Sequence, residues 1–212
     1  MKTTSYPSFG NVKPVRPGVK SYSDTVNGNN KAVIFSTSMT RGISAETFNR
    51  KHYSQGKAIF HRFHGGKARH IRHQVETHLH EERPDAAIIL AGGNDLPTNR
   101  HKPTSIATIA NQVMDIALMC KKYEVSHICV SSVLPRREGY MGGNMELRRN
   151  ELNDVLKSLC GLYDFIFIDH DNGSVKISLS EHIERDGVHL NAVGSEVLAY
   201  SFGSVLNAIH SH

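Results

Sequence analysis

Apolar residues in this chain gather in five short runs, and their spacing constrains the fold more than any other feature of the sequence. The runs are Ala32-Val33-Ile34-Phe35, Ala58-Ile59-Phe60 with Phe63, Asp85-Ala86-Ala87-Ile88-Ile89-Leu90, Ser126 to Val133 around Ile128-Cys129-Val130, and Phe165-Ile166-Phe167-Ile168. Continuous apolar runs of this length suit strands buried on both faces, since a strand with one wet face alternates polar and apolar residues. Between the later runs the apolar period becomes helical. Ile106, Ile109, Val113, Ile116, Ala117 and Met119 fall on one helical face, as do Leu147, Leu152, Val155, Leu156 and Leu159. A polar helical stretch spans about Lys67 to Glu82, and a closing helix from Ala192 to Ile209 carries Val193, Val197, Leu198, Val205 and Leu206. Strands alternating with helices predict an α/β fold whose parallel sheet is covered on both faces.

The 212 residues suffice for one such domain with a core that needs no disulfide or metal. Residues 1–30 hold three prolines, several Gly, Ser and Asn, and few large apolar side chains, too little to offset the entropy of ordering, so they read as a tail or linker before a domain at 31–212. Cys120, Cys129 and Cys160 are odd in number and lack C-x-x-C spacing, which predicts reduced thiols and an intracellular, cytoplasmic setting. The N-terminus lacks the apolar stretch of a secretory signal, and no run is long enough to span a membrane. A net charge of +5 is too small over this length to indicate nucleic-acid binding, although it permits it. Nothing in the patterning specifies an oligomer.

In an open parallel sheet, ligands bind at the carboxyl ends of the strands. Four segments at predicted strand ends or before the last helix are polar or Gly-rich: Ser36-Thr37-Ser38, His64-Gly65-Gly66, Gly92-Gly93-Asn94-Asp95 and Asp186-Gly187-Val188-His189. A serine hydroxyl needs a base to become a nucleophile and a third group to orient that base. Ser38, His189 and Asp186 supply those types, and the backbone N–H groups of Ser38 and Gly65 with the Asn94 amide are candidate oxyanion donors. Each segment also has a plainer reading: Ser38 as a helix cap, Gly92-Gly93 as a turn with Asn94 or Asp95 capping the next helix, and Asp186-Gly187 as a turn before a helix capped by Asn191. It is their ordered combination at one end of the sheet that favours chemistry.

That combination resembles the SGNH, or GDSL-like, hydrolases over about residues 31 to 210. Phe63-His64-Gly65 resembles the family's second block, Gly92-Gly93-Asn94-Asp95-Leu96 its Gly-x-Asn-Asp block, and Asp186-Gly187-Val188-His189 its Asp-x-x-His block. The resemblance implies a three-layer α/β/α flavodoxin-like fold with a five-stranded parallel sheet. It implies hydrolysis of a small-molecule ester or lipid-like substrate, no cofactor, Ser38 as nucleophile, and Gly65 and Asn94 in the oxyanion hole. One departure stands out: Ser36-Thr37 replaces the Gly-Asp that usually precedes the family's serine. Phrases such as Val133-Leu134-Pro135-Arg136 look most like the SGNH-like domains of animal retroelement reading frames. The alternative is a catalytically weakened member that binds RNA, lipid or protein. A nucleotide or flavin binder is disfavoured because neither G-x-G-x-x-G nor G-x-x-x-x-G-K-[ST] occurs.

Other residues invite weaker readings. His64, beside Gly65, and Arg41, after the nucleophile, are candidates for substrate contact. His61, His64, His70, His73, His78 and His80 are dense, but neither His73 with Glu76 and His80 nor any other set has a recognised ligand spacing, so no metal site is expected. Arg136-Arg137 and Arg148-Arg149 read as solvated surface, and Met141-Gly142-Gly143-Asn144 as a loop placed to cover the pocket.

Overall fold

A computed structural model describes residues 30–97, 103–137 and 144–211; nearly all of the expected tail and of the 141–144 loop lie outside the described residues. The chain runs β1 (Asn30–Ser36), a single 3-10 turn (Ser38–Thr40), α1 (Ala45–Lys51), β2 (Gly56–Arg62), α2 (Ala68–Glu82), β3 (Ala86–Leu90), α3 (Ile106–Lys122), β4 (His127–Ser131), α4 (Met145–Tyr163), β5 (Ile166–Ile168), α5 (Leu179–His182) and α6 (Ala192–His210). The five strands pair in parallel in the order β2-β1-β3-β4-β5. The chain moves outward from β1 to β2, then crosses to β3 on the other side of β1. The order therefore reverses between β1 and β3, which opens a crevice at their carboxyl ends.

The two-residue period of the strands divides the core. Val33 and Phe35 of β1 with Ala87 and Ile89 of β3 face α2, α3 and α4, packing on Ile71, Val75, Ile109, Val113, Leu152 and Leu156. Ala32 and Ile34 with Ala86 and Ile88 face α1 and α6, packing on Phe48, Leu198, Phe202 and Leu206. Helices thus cover both faces, and the architecture is a three-layer α/β/α sandwich. The three cysteines are buried and unpaired, and burial pushes their thiols up to about 12, which keeps them unreactive. No helix among the described residues is long and apolar enough to cross a membrane.

Two helical faces differ from the sequence expectation. Leu147 of α4 is 68% exposed, and the inward stripe is instead Met145, Arg149, Leu152, Asn153, Leu156 and Cys160. The stripe admits Arg149 and Asn153 because each is bonded inside: Arg149 to Asp171 and to the Val133 carbonyl, Asn153 to the backbone N–H of Val133. Val193 likewise faces solvent in the first turn of α6, whose N-terminus Asn191 caps by accepting from the Gly194 N–H at 2.8 Å. Helices α1 and α5 were not expected, since α1 buries only Phe48 and α5 buries no residue. Phe202, fully buried in the α6 layer, is a test of this packing. Phe202→Ala is expected to cost about 3–5 kcal/mol, read as a lower denaturation midpoint at unchanged slope.

Candidate active site

The first strand delivers its serine by running out of apolar residues. After the buried Val33 to Phe35 segment, Ser36 is still paired in β1, Thr37 is extended (φ −81°, ψ −163°), and Ser38 opens the 3-10 turn. Ser36 stands where the family has glycine, yet it occupies ordinary strand geometry and its hydroxyl meets that of Thr40 at 2.6 Å. Neither Ser36 nor Thr37 has a positive φ that only glycine would tolerate, so the departure from Gly-Asp leaves the turn intact.

Ser38 Oγ lies 3.0 Å from Nε2 of His189, whose Nδ1 lies 2.7 Å from Oδ2 of Asp186. Asp186 Oδ1 accepts from the backbone N–H of Val188 and of His189, each at 2.9 Å. These contacts assign Nδ1 as the imidazole donor, leaving Nε2 to accept the serine proton. The His189 backbone N–H first, then its imidazole and the Val188 N–H, hold the Asp186 carboxyl well below the usual carboxylate range, although partial desolvation opposes them. Gly187, between them, takes φ +72°, and a side chain there would strike Arg137. The Arg137 N–H also donates to the Gly187 carbonyl at 2.8 Å, tying this turn to the segment that follows β4.

The other two blocks meet beside this chain of contacts. Gly65 takes φ +66° in open space, so conformation and not room demands glycine there. The Asn94 amide donates from Nδ2 to the Gly66 carbonyl at 2.9 Å and accepts at Oδ1 from Nη2 of Arg136 at 3.0 Å. Because a guanidinium only donates, this pair fixes which way the amide faces and leaves its second N–H for a ligand. Asp95 caps the preceding helix, not the following one: its Oδ2 accepts from the Ala68 N–H at the start of α2.

Arg136 corrects the reading of the arginines as solvated surface. It is 4% exposed, its Nε and Nη1 have no hydrogen-bond partner, and burial lowers it to about 10, against the opposing charges of Asp186 and Asp95. It lines a narrow, mostly apolar cleft with Thr37, Met39, Leu90, Gly93 and Val133, which has room for a group about the size of one water. The sequence signal was available in its position two residues beyond the buried Val133-Leu134. Arg149 is buried among carboxylates, and Arg148 donates to the Leu96 and Thr104 carbonyls, so both brace loops. Arg137 alone of the four is exposed.

Arg41 lies on the exposed side of the cluster, 3.0 Å from Glu184 and 3.9 Å from Asp186, so its charge meets carboxylates of the protein itself. His64 is exposed beside Gly65. His73, Glu76 and His80 do not converge: all three are exposed, and Glu76 accepts from Tyr123.

The same segments are spanned by the model of the GDSL-like lipase/acylhydrolase family, which matches residues 28–197. The chain belongs to that family. This acylhydrolase is therefore an enzyme of ester hydrolysis, acting on a small-molecule ester. Its fold is similar to that of an acylhydrolase from Bacteroides fragilis (16% identity, TM-score 0.70, covering 89% of this chain and 94% of that one). It is also similar to a lipase/acylhydrolase from Enterococcus faecalis (18%, 0.69, 85% and 96%). A third similar structure is Est24, a carbohydrate acetylesterase from Sinorhizobium meliloti (14%, 0.68, 85% and 100%). Comparison with curated protein sequences finds no match.

Proposed function

We propose that this acylhydrolase cleaves esters of short acyl groups through an acyl-enzyme, with Ser38 as nucleophile, His189 as base and Asp186 as its orienting partner. The observation that carries this reading is the unbroken line of contacts from Ser38 Oγ through His189 to Asp186 at 3.0 and 2.7 Å. As Ser38 Oγ bonds to the carbonyl carbon, its proton passes to His189 Nε2 and the imidazolium forms beside the Asp186 carboxylate. Collapse of the tetrahedral adduct breaks the C–O bond, and His189 returns the proton to the departing alcohol. Water then repeats the sequence on the acyl-enzyme, releasing the acid and restoring Ser38. The N–H groups of Ser38 and Gly65 and the Asn94 amide are the donors to the oxyanion.

A short acyl group agrees with the carbohydrate acetylesterase named among the similar folds. Turnover of chromogenic acetyl, butyryl and octanoyl esters tests this: kcat/KM is expected to fall with chain length. A folded protein that hydrolyses none of them, and that a fluorophosphonate does not label, would sink the reading in favour of a binding module.

Arg136 acts in this scheme as a positioning residue that holds Asn94. A buried guanidinium bonded through only one of its three nitrogens carries a desolvation cost, so replacing it with an apolar side chain of similar length is expected to leave stability unchanged or raise it. The same change frees the Asn94 amide to rotate. Arg136→Met should therefore lower kcat about 10–100-fold, short of the loss of an oxyanion donor itself, with KM little changed and the melting temperature not reduced. A drop in melting temperature matching the loss of activity would indicate a structural role only.

A further inference from the structure

The structure assigns a divalent-metal site, of the kind that takes zinc, to His61, His78 and Glu82, where α2 packs on the edge strand β2. His78 and Glu82 stand four residues apart on α2 and so share one helical face, and His61 reaches them from β2. One ligand atom from each residue lies within 4.8 Å of the others. Tetrahedral zinc bonded at about 2.0–2.1 Å spaces its ligands roughly 3.3 Å apart, a spacing this cluster brackets. His61 and His78 belong to the dense histidines of this region, but ligand spacing does not reveal that Glu82 joins them or that strand and helix pack so as to bring the three together.

A hydrogen bond does not account for the cluster. His61 Nε2 and Glu82 Oε1 are 2.9 Å apart, yet Nε2 makes no hydrogen bond of acceptable geometry, and Glu82 Oε2 has no partner either; both atoms are buried. Buried polar atoms rarely go unsatisfied, and Glu82 Oε2, with His61 Nε2 held only by a poorly aligned contact to Oε1, calls for a partner shared by the converging ligands. The imidazoles of His61 and His78 stack at 3.7 Å with Phe35 and Phe63 beside them, and because an imidazole binds an ion in its own ring plane, one of the two turns about its side-chain torsions to take it. A bound ion would take His61, His78 and Glu82, with the second Glu82 oxygen or a water completing the shell, and would clamp α2 to the strand that leads toward Gly65. None of the three residues belongs to the ester-cleaving set.

Chelator-stripped full-length protein titrated with Co2+ tests the assignment through the visible absorption of the metal, with displacement by Zn2+ and thermal melting as second readouts. The expected result is one equivalent bound with the intense bands of tetrahedral cobalt. Zinc at about 100 times its Kd should raise the melting temperature on the order of 5–10 °C for a domain of this length. His78→Gln and Glu82→Gln should each abolish the bands. Each should weaken zinc by more than the roughly 10–100-fold that loss of an outer-shell partner costs. His73→Gln and His80→Gln, exposed on the same helix, should change nothing. Circular dichroism of the metal-free variants checks that they fold. No uptake by folded wild type, uptake unaffected by His78→Gln or Glu82→Gln, or uptake that follows His73 and His80 would each overturn the site.

Discussion

Ser38→Ala is expected to lower kcat on ester substrates by about 10^4 to 10^6 and to abolish covalent labelling by a fluorophosphonate, with the melting temperature unchanged. The magnitude follows from the geometry. Ser38 Oγ is the only reactive atom within reach of His189 Nε2 in the contacts described, and without it no acyl-enzyme forms. His189→Ala should cost about as much, because the hydroxyl then has no base. The double variant should be little worse than either single one, since groups that act as a unit are grossly non-additive. Measured kcat for all three variants checks this. Additive losses would mean that Ser38 and His189 do not act on the same proton.

Asp186→Asn should produce a smaller but still large loss, on the order of 10^3 to 10^4 in kcat, with the fold intact. Oδ1 of Asp186 holds the backbone N–H groups of Val188 and His189. An asparagine there must keep its own carbonyl oxygen toward those donors and turn its NH2 toward His189 Nδ1. Two donors cannot face one another, so the imidazole proton moves to Nε2 and the nitrogen facing Ser38 can no longer accept. The wild-type carboxylate is held ionised well below the usual range. Its contribution to folding is therefore present above the ordinary aspartate pKa and lost only as pH falls through the lower folded value. Asp186 consequently stays charged throughout the range where an esterase is assayed, and the acid limb of the rate profile is not its titration. Kinetics of Asp186→Asn across pH, with melting temperatures alongside, provide the check; a loss of less than tenfold would remove Asp186 from the mechanism.

Much of the fold was legible because its determinants are local. Each buried strand is a short apolar run, each long helix carries a stripe at helical spacing, and their alternation dictates parallel pairing. Where the reading failed, tertiary contacts overrode composition. Leu147 faces solvent while Arg149 and Asn153 face in, because Asp171 and the backbone of Val133 supply partners that no helical period reveals. Arg41, read as a candidate for substrate contact, is exposed and lies 3.0 Å from Glu184, a neighbour that no spacing in the sequence announces. Helix α1 escaped notice because one buried phenylalanine leaves almost no periodic signal.

The candidate site divides along the same line. Residue types, and their order at the carboxyl ends of predicted strands, are properties of the sequence, so Ser38, Gly65, Asn94, Asp186 and His189 were nameable from it, as was the family that carries them. Distances between elements far apart in the chain are not. Only the reversal of strand order between β1 and β3 brings the Ser38 turn beside Asn94, and only the docking of the Asp186–His189 turn on Arg137 sets its imidazole 3.0 Å from the serine. The burial of Arg136 against Asn94 and the meeting of His61 with His78 and Glu82 were likewise settled by packing. A charged side chain's surroundings depend on which elements close over it, and that depends on burying the whole apolar surface at once.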